Sequence, residues 1–178
     1  MTRWVALLRG VNVGGIQVRS VDLAALFRDT LGFREVRTFL ASGNVGFETD
    51  AATSTRAALK SSIEKALRDT FGYDAWIVLV TLAELEQAIA QFPFDDADAA
   101  RQPWVVFCVD TATRDELAEA AASVDPAVDP VASGPGVVYW NPPKGSSTDT
   151  AFAKILAKAA YKARTTNRNL RTLVKIAA

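Results

Sequence analysis

The order in which strand-like and helix-like stretches follow one another constrains this chain more than any other feature of it. "WVALLR" reads as a strand, and Ser20 then opens a helix whose Leu23, Leu26, Phe27 and Leu31 recur at helical spacing until Gly32. "VRTFL" and "NVGFE" are two strands separated by a tight turn at Ala41-Ser42-Gly43. A longer helix carries Leu59, Ile63, Ala66, Leu67 and Phe71 on one face and stops at Gly72, and "AWIVLV" is strand again. The two helices end alike, in "RDTLGF" and "RDTFGY", with glycine placed to supply a left-handed cap. The order β-α-β-β-α-β is that of a ferredoxin-like unit.

The pattern then begins again. Thr81-Leu-Ala-Glu84 is a capping box opening a connecting helix, which Pro93 ends. "WVVFCV" is a strand, Thr113-Arg-Asp-Glu116 caps a helix with Leu117, Ala121 and Val124 inward, and strands around "AVDPVAS" and "GVVYW" flank Gly134-Pro135-Gly136. A helix from about Ser147 carries Phe152, Ile155, Leu156 and Ala159. A final short helix, with Leu170, Leu173, Val174 and Ala177, stands where a last strand is due. The expectation is an α+β fold of two tandem ferredoxin-like (β-α-β-β-α) units packed together. The first covers 1–80, the connecting helix and loop 81–101, and the second unit with its C-terminal helix 102–178.

Composition narrows the chemistry. The 178 residues include no histidine and one cysteine, Cys108, inside the apolar run "VVFCV". Triads built on histidine, histidine-based zinc sites and imidazole switches are therefore excluded, and Cys108 reads as buried packing. Asp95, Asp96 and Asp98 follow the helix stop at Pro93 and read as a solvated loop. A chain of this size buries roughly 70% of its unfolded surface and needs no metal or disulfide staple. No stretch approaches the roughly 20 apolar residues of a membrane span, and "WVALL" is too short for a signal peptide, so the expected location is cytoplasmic, with no membrane partner. Net charge is zero but uneven: 10 basic and 8 acidic side chains in 1–80, 2 and 11 in 81–130, 8 and 1 in 131–178.

The stretch "LLRGVNVGG" carries the strongest functional signal. Arg9 stands at a strand end, and Gly10, Asn12, Gly14 and Gly15 follow where packing side chains are expected. Glycines let backbone N–H groups approach a ligand and form an anion-binding concavity, and arginine grips phosphate or carboxylate with two parallel donors. The spacing matches neither a P-loop nor a dinucleotide fingerprint. In the expected topology the first two strands run parallel with the third between them, so the loop after strand 1 and the turn at Ser42, Gly43 and Asn44 emerge at one end of the sheet. In "TTNRN", Thr166 or Asn167 caps the last helix in this reading and leaves Arg168 in its first turn, where a cation opposes the helix dipole by about 0.3–1 kcal/mol. An anion bound there by Thr166, Arg168 and Asn169 would reverse that penalty, and Arg168 is expected to reach the Arg9 loop from the tail.

"ALLRGVNVGG", "VRTFLASGNVGFET" and "TTNRNLRTLVK" resemble, in that order, the motifs of the bacterial family catalogued as domain of unknown function 1697. The likeness covers nearly the whole chain and implies a two-part α+β fold; it brings no activity with it. The chain departs from the family pattern at Leu170, where tryptophan is common, at Asn167, where threonine or serine is, and at Gln17, near which lysine is common. Gly145, Ser146 and Ser147 match a Gly-Arg-Ser-Lys type segment only in part.

The residues favour a binding module for a small phosphate- or carboxylate-bearing ligand at Arg9–Gly15 and Ser42–Asn44. An RNA-binding module is the alternative, because ferredoxin-like sheets stack bases on strand aromatics, here Phe39, Phe47, Trp104 and Trp140. A histidine-independent transferase or hydrolase comes third, with Arg9 and Arg168 stabilising charge and no base identified. No pattern names a cofactor, a metal or an oligomeric state.

Overall fold

The computed structural model describes residues 1–9, 17–40, 43–72 and 74–178. The chain is a mixed α+β protein with two four-stranded antiparallel sheets. It divides into two compact units, Met1–Leu85 and Glu86–Ala178.

In the first unit β1 (Thr2–Arg9), α1 (Ser20–Ala25, continued by a wider π turn to Thr30), β2 (Arg34–Phe39), β3 (Asn44–Thr49), α2 (Arg56–Phe71) and β4 (Trp76–Thr81) follow in order, and α3 (Leu82–Ala90) begins. The sheet order is β2-β3-β1-β4. Alternation along β1 assigns its two faces. Trp4, Ala6 and Leu8 enter a core with Leu23, Phe27, Phe47, Ile63 and Leu67, while Val5, Leu7 and Arg9 take the opposite face. Phe27, Phe33 and Phe47 pack edge-on and stacked, with centroids 4.5–5.9 Å apart. The glycine stops act as the sequence indicates: Gly32 and Gly72 have φ of +70° and +72°, and Gly72 N–H closes α2 on Arg68 O at 2.9 Å. The capping box also forms, with Thr81 N–H donating to Glu84 Oε2 at 2.8 Å and Glu84 N–H to Thr81 Oγ1 at 3.2 Å.

In the second unit α3 ends, and β5 (Trp104–Cys108), α4 (Thr111–Ala121), β6 (Val131–Gly134), β7 (Val137–Trp140), α5 (Ala151–Leu156), α6 (Ala159–Lys162), β8 (Thr165–Asn169) and α7 (Leu170–Ala177) follow. The sheet order is β6-β7-β5-β8. Val106, Cys108, Val138, Trp140 and Phe152 lie in its core, and β5 and β7 pair antiparallel. No helix among the described residues is long and apolar enough to cross a membrane.

Three local expectations are corrected here. Thr165–Asn169 is a strand, paired antiparallel with β5 from Cys108↔Thr165 to Trp104↔Asn169, so the second unit has its last strand and the helix follows it. The cap of α4 is Asp110, whose carboxylate accepts from Thr113 N–H at 2.8 Å. Thr113 is instead fully buried, its hydroxyl accepting from Arg164 Nε at 3.0 Å. The helix expected from about Ser147 starts at Ala151, because the Thr150 side chain accepts from Ala153 N–H.

Candidate functional site

The functional signal in the first unit lies at the end of its sheet where β1 finishes and β3 begins. Leu7 stands opposite Asn44, and Leu8 N–H donates to Gly43 O at 2.8 Å, so the stems of both suspected loops are tied by a backbone hydrogen bond. Gly43 has φ of +76°, a conformation that costs a side-chain-bearing residue about 1–2 kcal/mol. Asn44 is 1% exposed and its Nδ2 donates to Phe39 O at 2.9 Å, which ties the start of β3 to the end of β2. Arg9 is the last residue of β1 and shares a face with Leu7 and Asn44. It is partly buried, and burial holds its guanidinium below the ordinary arginine range. Of the expected ligand contacts, Arg9, Gly43 and Asn44 are thus brought together. Gly10, Asn12, Gly14, Gly15 and Ser42 lie outside the described residues.

Sequence reasoning missed Trp76. It is the first residue of β4 and the register partner of Arg9, so both side chains leave the sheet on one face. It is partly buried, whereas the next five strand residues, Ile77 to Thr81, are buried. The available signal was positional: the start of an outer strand antiparallel to β1 must lie beside the end of β1.

In the second unit, β8 changes the reading of the tail. Arg168 lies two residues before α7, inside a strand, and Asn169 caps that helix by accepting from Arg171 N–H at 3.0 Å. The helix-dipole argument therefore does not apply to Arg168. Its position is notable for burial instead: at 8% exposure it sits opposite Val105, and its Nη1 donates to Thr166 Oγ1 at 2.7 Å and to Asn167 O at 2.9 Å. Removal from water pulls its pKa down to about 10. Thr166 is 3% exposed and shares that face, opposite Phe107. Arg9 and Arg168 belong to different units.

The strand aromatics do not form open platforms. Phe47 and Trp140 are 2% and 0% exposed, Trp104 packs against the second core, and Phe39 lies across Gly46, where an added Cβ would meet its ring at 3.2 Å. Cys108 is buried as well, and desolvation pushes its thiol up to about 12, away from the thiolate that reactivity needs.

The family model described as "Protein of unknown function (DUF1697)" matches residues 1–139. The chain belongs to this family. The match contains the Arg9 loop, Gly43, Asn44 and Trp76, and ends before β8. The DUF1697 chain is also similar to a solved structure, that of conserved bacterial protein SP0830 from Streptococcus pneumoniae. The identity is 24%, the TM-score 0.81, and the alignment covers 99% of this chain and 97% of that one. That likeness concerns the fold. Among curated proteins none matches.

Proposed function

We propose that this protein binds a small phosphate- or carboxylate-bearing ligand at the β1–β3 end of its first sheet. The contacts in this reading are Arg9, the backbone of Gly10 to Gly15 with Asn12, Ser42, Gly43 and Asn44. The observation that carries it is the Leu8 N–H to Gly43 O bond, which draws the two loop stems together beside a partly buried arginine. Glycine-rich backbone supplies donors, and a half-desolvated guanidinium is a stronger anion partner than one in open water. We also propose that each unit is a ferredoxin-like β-α-β-β-α-β repeat followed by a helix. The identical strand orders support this, as does the way β4 runs into α3 and β8 into α7.

Calorimetric titration with inorganic phosphate and with glycerol phosphate tests the binding. Saturable binding to the wild-type chain is expected, and Arg9→Ala should weaken it by about 1–3 kcal/mol, the size of a lost charged hydrogen bond, without unfolding the protein. Unchanged affinity in Arg9→Ala would sink the reading. Arg168→Ala is measured alongside: a loss of binding keeps Thr166 and Arg168 in the ligand set, and unchanged affinity removes them. Asn169 is committed to its helix cap. Binding that grows with oligonucleotide length and falls steeply with salt would instead favour RNA, and turnover in a substrate screen would favour the enzyme.

A further inference from the structure

Glu35 and Arg37, on the outer edge of the first sheet, carry charge that the first unit leaves unneutralised. Elsewhere in that unit charged side chains pair off, from Arg3 with Glu48 and Arg34 with Asp50 on the sheet to Lys60 with Glu64 on α2. Glu35 and Arg37 are exposed and belong to none of the ion pairs among the described residues. Both stand on β2, which pairs with β3 on one side only, so its outer row of N–H and C=O groups is open to a further strand. A bulge between Arg34 and Arg37 leaves Glu35 and Val36 without register partners on β3, and Glu35 has φ of +49°. Glycine adopts that conformation freely and glutamate only under strain, so a charged side chain is kept where the backbone favours none. The matching edge of the second unit, β6, is four residues long and carries no charge.

We propose that this edge is an interface between two copies of the chain, in which β2 of one lies antiparallel to β2 of the other around a two-fold axis at Val36. Opposed residues in such a pair are equally distant from the axis, so Glu35 of each copy meets Arg37 of the other and the ion pair forms twice. Cross-strand partners stand with Cβ atoms about 4.5–5.5 Å apart, within reach of a carboxylate and a guanidinium. The order of the charges is what selects a second copy. An edge guarded by charges of one sign repels its own image across a two-fold axis, whereas opposite signs on either side of one residue attract it. One short strand makes a small contact, so the dimer is expected to be weak, with a Kd on the order of 10–100 µM. This interface stands apart from the anion-binding reading, since neither residue belongs to that site.

Sedimentation equilibrium of the full chain, at concentrations spanning that Kd, is the test. A monomer–dimer equilibrium is expected, weakened by added salt. Arg37→Glu sets Glu35 against glutamate twice, and Glu35→Arg sets arginine against Arg37 twice. Each should raise the dimer Kd by on the order of tenfold. The double variant restores opposite signs across the axis and should return Kd to within about threefold of the wild type. Glu35→Gly removes charge and strain together, so its urea midpoint should rise while its dimer weakens. A wild-type chain that stays monomeric throughout overturns the proposal. A wild-type Kd in Arg37→Glu, Glu35→Arg or Glu35→Gly also overturns it, by placing the contact elsewhere. So does a double variant as weak as the single ones, because Glu35 and Arg37 would then not face each other.

Discussion

At the end of the first sheet, Leu8 N–H donates to Gly43 O and Asn44 faces Leu7. At the matching end of the second, Cys108 N–H donates to Gly136 O and Val137 faces Phe107. The two glycines share a left-handed conformation, φ +76° and +70°. The strands align throughout: Trp4 pairs with Phe47 and Thr81, and Trp104 pairs with Trp140 and Asn169. One hydrogen-bonding frame therefore serves two sets of side chains. Where the first unit has Arg9 and Asn44, the second has Val109 and Val137. Where the second has Arg168, the first has Val80. Asn44 commits its amide to Phe39 O, but the frame closes with Val109 at the position of Arg9, so polarity at Arg9 is not a demand of the strand pairing. That is the physical reason for reading the first sheet end as a site and using the second as its internal control.

The largest expected effect lies where the two cores differ. Asp129 is 2% exposed and accepts from Trp140 Nε1 at 2.8 Å and from Phe152 N–H at 3.1 Å. The first unit places Phe47 at the position of Trp140 and has no indole there to satisfy. Asp129→Ala orphans two buried donors and should cost about 3–5 kcal/mol in urea unfolding, because hydrogen bonds to a charged group contribute about 1.5–3 kcal/mol each. Trp140→Phe, which gives the second core the ring of the first, should recover part of that loss in the double variant. A cost below about 1 kcal/mol for Asp129→Ala would mean that the carboxylate does not organise this core.

The glycine pair separates frame from site at a smaller scale. A Cβ built on Gly136 meets nothing within 4 Å, so Gly136→Ala suffers only from its positive φ. Gly43→Ala and Gly136→Ala should each lower stability by about 1–2 kcal/mol. Phosphate titration should then divide them: Gly43→Ala weakens binding and Gly136→Ala leaves it alone. Equal affinities in the two variants would place the ligand away from the Gly43 turn.

Much of this frame is legible in the sequence because its signals are local. The glycine stops at Gly32 and Gly72 and the Thr81–Glu84 box involve neighbours a few residues apart, and the apolar periods of β1, α2 and β5 mark their buried faces. The failures occur where a local motif met a competing partner. Thr113-x-x-Glu116 has the form of a capping box, yet Asp110 stands one turn earlier and takes the Thr113 N–H, while Arg164 takes the hydroxyl. "TTNRN" lacks an apolar alternation because a buried face of β8 is made by Thr166 and Arg168, satisfied by each other; its β-branched threonines were the remaining strand signal. Without β8, the helix α3 read as a mere bridge. With it, α3 and α7 each begin directly after a fourth strand, under caps at the matching residues Thr81 and Asn169. The candidate site was legible as two loop stems, and its Trp76 side was not, since that side depends on register across the sheet.

The smallest effect concerns the alkaline behaviour of the second unit alone. Burial pushes Cys108 from the usual 9.0 and Tyr139 from the usual 10.0, both to about 12. Their register counterparts in the first unit are Leu8 and Gly46, which do not titrate. For both acids the folded chain keeps its proton longer than the unfolded chain does. Their contribution is therefore complete below about pH 9 and declines as pH climbs toward 12. Arg168 acts in the opposite sense, because burial lowers its pKa to about 10, so its deprotonation favours the folded state only around and above that pH. The interval between about pH 9 and 10 thus isolates the acids, with Cys108 the first to titrate in the unfolded chain. Urea midpoints should fall between pH 8 and 10 by the equivalent of about 1 kcal/mol, and Cys108→Ala should remove most of that pH dependence whatever its own effect on stability. The same burial predicts that a thiol reagent labels the folded protein far more slowly than the unfolded chain at pH 8. Rapid labelling, or an unchanged pH slope in Cys108→Ala, would show that the second core opens at β5 in a way the Leu8 position of the first has no thiol to report.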